Sequence, residues 1–345
     1  MARAMPGSSV SPPPDASSTV SASLHPNRHP AHRPALVSVV IPTWNGAHHL
    51  PVCLGALRRQ TLPAYETILV DNASTDGTRA LVERDFPEVR LIALPTNKRF
   101  AGACNAGIRA SRGEFVALLN NDTEADPRWL ENVVATFDAH PDAGFVASKL
   151  RLFDQRDRLH SAGDCYTLRG VPGNRGVWQV DDGRFDTDYV FGACGAASVY
   201  RRAMLDQIGL LDETFEFSCE DVDLSWRAQL AGYKCAFAHK AIVYHKVSAT
   251  GGGILNSYYD GRNFIWLLAK DVPGDILRPH LGRIIAEQWR ITRNALRAWR
   301  GQAARNRLKG QLAGVLGIPR MLRRRRAVQR LRAISKADLA GLLDE

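Results

Sequence analysis

Between residues 36 and 140 the sequence alternates, four times over, a short run rich in β-branched residues with a stretch of helical pattern. Val37 to Ile41 carries no charge and reads as a strand buried on both faces. Residues 66–71, 89–94 and 115–119 repeat that reading, and helices are expected over 48–60, 78–85, 103–110 and 129–140. Such alternation predicts right-handed βαβ units, hence an α/β fold with a mostly parallel sheet and helices on both faces. In sheets of this kind ligands bind beyond the carboxyl ends of the strands.

Polar side chains gather at those ends. The first strand runs into Pro42-Thr43-Trp44-Asn45, the second into Asp71-Asn72-Ala73-Ser74-Thr75-Asp76-Gly77, and the fourth into Asn120-Asn121-Asp122. A carboxylate placed like Asp71 can accept from a base imide or from ribose hydroxyls, whereas Asp76 reads as a cap of the next helix. Small residues between Asn97 and Gly107 allow close backbone approach to a ligand at a helix start. Asp122 suits a hard cation bridging a diphosphate, with a surface turn as the alternative. Further on, Cys219-Glu220-Asp221-Val222-Asp223-Leu224 sets three acids in four positions before an amphipathic helix. Capping explains some of that charge, and a general base for a sugar hydroxyl would be a carboxylate of this kind. His245, after a short apolar strand, is a candidate metal ligand.

The flanks differ from this body. Residues 1–34 hold seven Pro and seven Ser and are expected to be disordered. Residues 150–190 read as loops with short strands. From residue 262 onward there are 19 Lys and Arg against 6 Asp and Glu, while the rest of the chain is slightly acidic. A basic helical tail over 271–345 points to an anionic partner, a membrane surface or a nucleic acid. On a helical wheel Leu281, Ile285, Trp289, Thr292, Leu296 and Trp299 share one arc, with Arg283, Arg290, Arg293, Arg297 and Arg300 beside it. That is either an interfacial helix on anionic lipid or a helix packed on the catalytic domain with a solvated Arg face. A nucleic acid is not the expected partner, because the chain lacks an aromatic RNA platform or a DNA-reading module.

Six scattered cysteines without a Cys-x-x-Cys pair read as reduced thiols of a cytoplasmic protein. No secretory signal is visible. The uncharged stretch 34–57 contains Pro42, Asn45, Gly46 and Pro51 and is not expected to span a bilayer. A nucleotidyltransferase would show a Gly-rich phosphate loop with a basic residue after the first strand, and Pro42-Thr43-Trp44-Asn45-Gly46 does not fit one.

Taken together, Val39-Val40-Ile41-Pro42-Thr43-Trp44-Asn45, Val70 through Gly77, Asn97 through Asn105, Leu118 through Thr123, Glu220 through Arg227 and His245 resemble the family 2 glycosyltransferases of the GT-A fold. The resemblance covers residues 36–265 and is nearest to the bacterial rhamnosyltransferase-like branch, which builds cell-surface polysaccharides. It implies a GT-A domain over 35–270 and an inverting transfer from a nucleotide-diphosphate sugar to a saccharide or lipid-linked acceptor. By the same resemblance Pro42, Thr43, Asn45 and Asp71 would hold the nucleoside, with Asn97, Gly102, Asn105 and Asn120 in the same pocket. Asp122 and His245 would hold a divalent metal, Asp221 would be the catalytic base, and Glu220 would shape the acceptor site. Asn120 stands where the family usually has the first of two acids, which implies a weaker site for Mg²⁺ or Mn²⁺. With no spanning segment and a basic tail, the expected location is peripheral, on the inner face of the cell membrane.

Overall fold

The computed structural model describes residues 36–247 and 253–345, so the expectation for residues 1–34 lies outside the described residues. The alternating half comprises β1 (Val37–Thr43), α1 (Leu50–Arg58), β2 (Tyr65–Asp71), α2 (Thr78–Asp85), β3 (Arg90–Ala93), α3 (Arg99–Ala110) and β4 (Phe115–Leu119). Next come β5 (Thr123–Ala125), α4 (Trp129–Ala139), β6 (Ala143–Leu152), β7 (Leu159–Ser161), β8 (Asp164–Tyr166), β9 (Pro172–Asn174), β10 (Tyr189–Val190) and β11 (Ala197–Arg201). The remainder is α5 (Arg202–Ile208), α6 (Glu220–Leu230), β12 (Lys234–His245), α7 (Ile254–Lys270), α8 (Gly274–Arg297), α9 (Gln302–Arg330) and α10 (Lys336–Gly341).

One large sheet has the order β10-β12-β6-β11-β4-β1-β2-β3. Its longest ladders, β1 with β2 and β12 with β6, are parallel, and β11 runs antiparallel between β4 and β6. Val37, Val39, Val40 and Ile41 have no exposed surface because helices cover both faces of β1. Full burial of side chains this size stabilises by about 1.5–3 kcal/mol each. The sheet therefore anchors the polar loops that leave its carboxyl edge.

β12 is longer than the short strand that the sequence suggests before His245, and β6 is a strand that it does not suggest. β6 and the last part of β12 run side by side, which sets His245 opposite Leu152. β5 then pairs antiparallel with β12, His245 against Thr123, and the Lys246 amide donates to the Asp122 carbonyl at 3.0 Å. Backbone pairing thus joins two residues that lie far apart in sequence.

The basic tail is packed on the body. Trp266, Val272, Ile276, Ile284, Met321 and Val328 share a core with Tyr166, Phe215 and Trp226. α9 lies close against α7 because Gly310 sits over the Tyr258 carbonyl, where a Cβ would come within 2.0 Å of the oxygen. An ion network closes the joint. Lys270 pairs with Asp212 at 2.7 Å and with Asp223, Arg227 pairs with Asp223 at 2.9 Å, and Arg324 reaches Asp212 at 2.7 Å. Asp223, one of the three clustered acids, is therefore structural. Lys270→Met should leave Asp223 and Asp212 under-compensated in a buried setting. A loss of about 3–5 kcal/mol is expected in urea unfolding, and an unchanged midpoint would contradict a structural role for this network.

Candidate functional site

A cavity of about 360 Å³ opens at the carboxyl edge of the sheet. Pro42, Thr43 and Trp44 reach it from the end of β1, Asn72 from β2, and Asn120, Asn121 and Asp122 from β4. Asn97, Arg99 and Phe100 enter from the start of α3, His160 from β7, His245 from β12, and Leu255, Asn256 and Tyr259 from α7. Of the residues expected to contact a nucleotide, Pro42, Thr43, Asn97 and Asn120 line this space. Thr43 Oγ1 is buried there without a hydrogen-bond partner, a free polar group of the kind that meets a ligand.

Four expected nucleotide contacts, Asn45, Asp71, Gly102 and Asn105, do not line the cavity. Asn45, at a left-handed φ of 50°, spends its side chain on the neighbouring loop by accepting from the Thr75 amide at 2.8 Å. α3 begins at Arg99, four residues earlier than expected, so Gly102 falls inside the helix rather than before it, and Asn105 lies in its second turn. A Cβ at Gly102 would meet Lys98 and Glu213. Asn105 donates to the Leu211 carbonyl and to Glu213, both at 2.9 Å, and accepts from the Leu211 amide, so all its polar atoms are used in tethering. Asp71 is fully buried, pairs with Arg79 and accepts from the Ser74 amide. It shapes the loop around Asn72 instead of facing the cavity.

Asn72 is the residue that this loop presents. It accepts from the Lys98 amide at 2.7 Å and donates to Asn97 Oδ1 and the Arg99 carbonyl, both at 3.1 Å. These bonds hold Arg99 at a left-handed φ of 59° on the cavity wall. Arg99 makes no ion pair among the described residues, leaving its cation available to a phosphate. The sequence signal for Arg99 was weak, because its conformation is set by Asn72 and not by its neighbours.

Asp122 and His245 do come together. His245 Nε2 lies 3.2 Å from Asp122 Oδ1, yet that buried oxygen has no hydrogen-bond partner. Two ligands about 2.1 Å from one octahedral cation lie about 3 Å apart, so the pair fits the edge of a metal's coordination sphere. His160, which sequence reasoning missed, places Nδ1 3.1 Å from His245 Nδ1. Burial first, then the charge of His245, lowers the His160 pKa to about 3, so His160 stays neutral and can accept the proton of His245 Nδ1.

The acid cluster lies beside the cavity. Asp221 Oδ2 accepts from the Gly195 amide at 2.8 Å, and Oδ1 from the Val222 amide at 2.8 Å. A Cβ at Gly195 would lie 3.3 Å from Asp221 Oδ2 and 3.6 Å from the ring of Phe100, which lines the cavity, so Gly195 sits against both. Burial raises the Asp221 pKa against those donated hydrogen bonds. Glu220 is pushed up to about 8 by burial and by Asp221, and its Oε2 has no partner. Asp164, also missed, is pushed up to about 8 by burial and by Asp221. Ligand atoms of Asp164, Cys194 and Asp221 lie within 4.8 Å of one another. A hard cation is not the fit here, because burial raises the Cys194 thiol well above its usual range.

A cavity at the strand ends of this mixed sheet, with a carboxylate–imidazole pair inside and acids at its edge, defines a nucleotide-sugar transferase type of fold, the GT-A fold. The model of glycosyl transferase family 2 matches residues 38–209, and the chain belongs to that family. The O-antigen biosynthesis protein RfbC of Myxococcus xanthus is 28% identical over 65% of this chain and 18% of its own length. The N-acetylglucosaminyl-diphospho-decaprenol L-rhamnosyltransferase of Mycobacterium tuberculosis (strain H37Rv) is 25% identical over 63% of this chain and 78% of its own. This chain spans a quarter or less of the length of the larger curated relatives that it matches. Among solved structures, the mannosyltransferase PcManGT from Pyrobaculum calidifontis, in complex with GDP-Man and Mn²⁺, shares the fold. Its TM-score is 0.53 and its identity 19%, covering 91% of this chain and 84% of its own.

A carboxyl whose pKa is raised by folding stabilises the fold below its unfolded pKa, and that contribution is lost as pH rises through the folded value. Asp164→Asn removes the ionisation while keeping an acceptor for Ser161 and Asn174. The variant should match the wild type near pH 4 and exceed it above pH 8, by about 2–4 °C in Tm per kcal/mol relieved. Parallel Tm curves from pH 4 to 9 would contradict the burial-raised pKa.

Proposed function

We propose that this chain is an inverting glycosyltransferase acting in the synthesis of a cell-surface polysaccharide or glycolipid. Its donor is a nucleotide-diphosphate sugar, with rhamnose the candidate sugar, and its acceptor is a hydroxyl of a saccharide or of a lipid-linked saccharide. The observation that carries this reading is the orphaned Asp122 oxygen facing His245 inside the cavity, with Asp221 packed on Gly195 next to the cavity-lining Phe100.

In this reading Pro42, Thr43, Asn72 and Asn97 hold the nucleoside, and Arg99 meets the diphosphate charge. Asp122 and His245 hold Mg²⁺ or Mn²⁺, which when bound offsets negative charge on the departing diphosphate. The Mn²⁺ of the Pyrobaculum neighbour supports this. His160, accepting from His245 Nδ1, keeps the Nε2 lone pair turned toward Asp122, as ligand histidines require. Asp221 accepts the acceptor hydroxyl's proton as that oxygen attacks the anomeric carbon. Burial raises its pKa, which makes the carboxylate a stronger proton acceptor, and the Gly195 and Val222 amides fix the direction of its oxygens. Glu220 shapes the acceptor side. The oxygen displaces the nucleoside diphosphate directly, so no covalent enzyme intermediate forms. Similarity to the mycobacterial rhamnosyltransferase supports rhamnose and a polyprenyl-linked acceptor. We place the enzyme on the cytoplasmic face of the cell membrane. No helix among the described residues is long and apolar enough to cross it, and the tail is basic.

Asp221→Asn should lower kcat by a factor of about 10²–10⁴ while leaving nucleoside diphosphate affinity unchanged in calorimetry. Normal turnover would remove Asp221 from the role. Asp122→Ala should weaken that affinity only when Mn²⁺ or Mg²⁺ is present, and an equal loss in metal-free buffer would sink its assignment as a ligand.

A further inference from the structure

The tail's apolar stripe is neither packed on the body nor shielded. Leu281, Ile285, Trp289 and Leu296 of α8, and Trp299 in the bend that follows it, are exposed, with Ile285, Trp289 and Trp299 open over about 60% of their surface. Ile284, Glu287 and Ala295, on the adjoining and far sides of the helix, are buried. α9 repeats the arrangement. Gly310, Gln311, Gly314 and Met321 face inward, while Leu312, Val315, Leu316 and Leu322 are exposed, Leu316 at 72%. The two helices meet where Thr292 Oγ1 donates to Gln311 Oε1 at 3.1 Å and Gln311 Nε2 donates to the Gln288 carbonyl. Trp289 and Leu312 are the immediate neighbours of those contact residues. Nine large apolar side chains held open on two adjoining helices and the bend between them are more than a monomeric surface ordinarily leaves in water.

Charge selects the occupant. Arg293, Arg297, Lys309, Arg320 and Arg323 on the same two helices, and Arg300 in the bend between them, are exposed and make no ion pair among the described residues. By contrast, Arg324 of the four-arginine run is spent on Asp212 and Thr214. A second copy of this chain would bring like charges together, which disfavours the contact. A surface combining apolar depth with a layer of anionic groups satisfies both features.

Position matters as well. The bend between α8 and α9 falls at residues 298–301, and one turn into α9 Asn306 donates to the Ile254 carbonyl at 3.2 Å. Ile254 and Leu255 begin α7, are themselves about 40% exposed, and Leu255 lines the cavity. At 1.5 Å per residue, Trp299 and the cavity rim lie at the same end of the helical hairpin.

We propose that the α8–α9 hairpin is a docking face for an anionic lipid bilayer, with its bend and the cavity mouth turned to the same lipid surface. Trp289, Trp299 and Leu316 enter the headgroup boundary, and the unpaired arginines meet lipid phosphates. This deepens the proposed function by making the acceptor lipid-linked, and the docking itself rests on the exposed face alone.

The test is co-sedimentation of the full chain with vesicles of phosphatidylcholine alone and with 30 mol% phosphatidylserine, at low and high salt. We expect attachment to the anionic vesicles at low salt, lost at high salt, and little to the neutral ones. Leu316→Glu with Trp289→Glu should cut the bound fraction about tenfold or more at unchanged Tm, because both side chains already face solvent. Arg293→Gln, Arg297→Gln and Arg300→Gln together should weaken binding about 100-fold. The proposal is overturned if the intact chain stays in the supernatant at low salt, if neutral vesicles bind it equally, or if the apolar variants bind like wild type. It is also overturned if the chain is a dimer in solution that those variants dissociate. None of these readouts depends on donor, metal or turnover, so a failed docking test and a failed enzymatic reading remain distinct.

Discussion

The site depends on the grip of α7 on three carbonyls of the loop just before the acid cluster. Asn263 Nδ2 contacts the carbonyls of Phe215, Phe217 and Ser218 at 3.1, 3.0 and 2.7 Å. Arg262 donates to the Phe215 carbonyl at 2.7 Å and pairs with Glu216 at 3.0 Å. Glu216, Ser218 and Cys219 all sit at left-handed φ values between 63° and 68°. Each such residue costs about 1–3 kcal/mol and persists only where the surroundings hold it. Hydrogen bonds from a charged donor, at about 1.5–3 kcal/mol each, are of the size needed to offset that strain. What they secure is the direction in which Glu220 and Asp221 leave the loop.

That dependence extends outward. α7 is held in turn by α9, through the close approach at Gly310 and the ion network around Lys270. The tail is thus part of the scaffold that presents the acids, and the same helices carry the exposed apolar face on their outer side. Electrostatically the site is divided. Glu220, Asp221 and Asp164 are buried together, so burial and mutual repulsion oppose full ionisation. Across Phe100, Arg99 and the paired Asp122 and His245 face a space open to an anion. A proton acceptor on one side and charge-compensating groups on the other is the division a displacement at a sugar phosphate requires.

The fold was legible wherever its signal was local. β1, β2, β4 and α2 follow from short apolar runs and from a helix opened at Thr78, whose hydroxyl and amide both bond to Asp76. Asp122 and His245 were legible as types at strand ends, though their contact needs the β5–β12 pairing that no local pattern encodes. Asn105 looked like a pocket residue because the stretch from 97 to 107 is rich in small residues. Its actual partners at 211–213 lie over a hundred positions away. His160 and Asp164 went unseen for a related reason. They sit in short strands whose positions come from β6 and β9, and their chemistry arises only from proximity to His245 and Asp221. The stripe on α8 was visible as a periodicity, but whether it faced protein or solvent depended on where α9 packed.

Direct displacement at the anomeric carbon, with Asp221 as base, is the central claim, and the stereochemistry of the product tests it most directly. Proton NMR of the first product, formed with the nucleotide sugar that the protein binds and a soluble acceptor analogue, reads the anomeric configuration from its coupling constant. The account predicts a configuration opposite to that of the donor from the earliest time points. Retention of the donor's configuration would require a second displacement or a front-face route, and would contradict the arrangement described for Asp221.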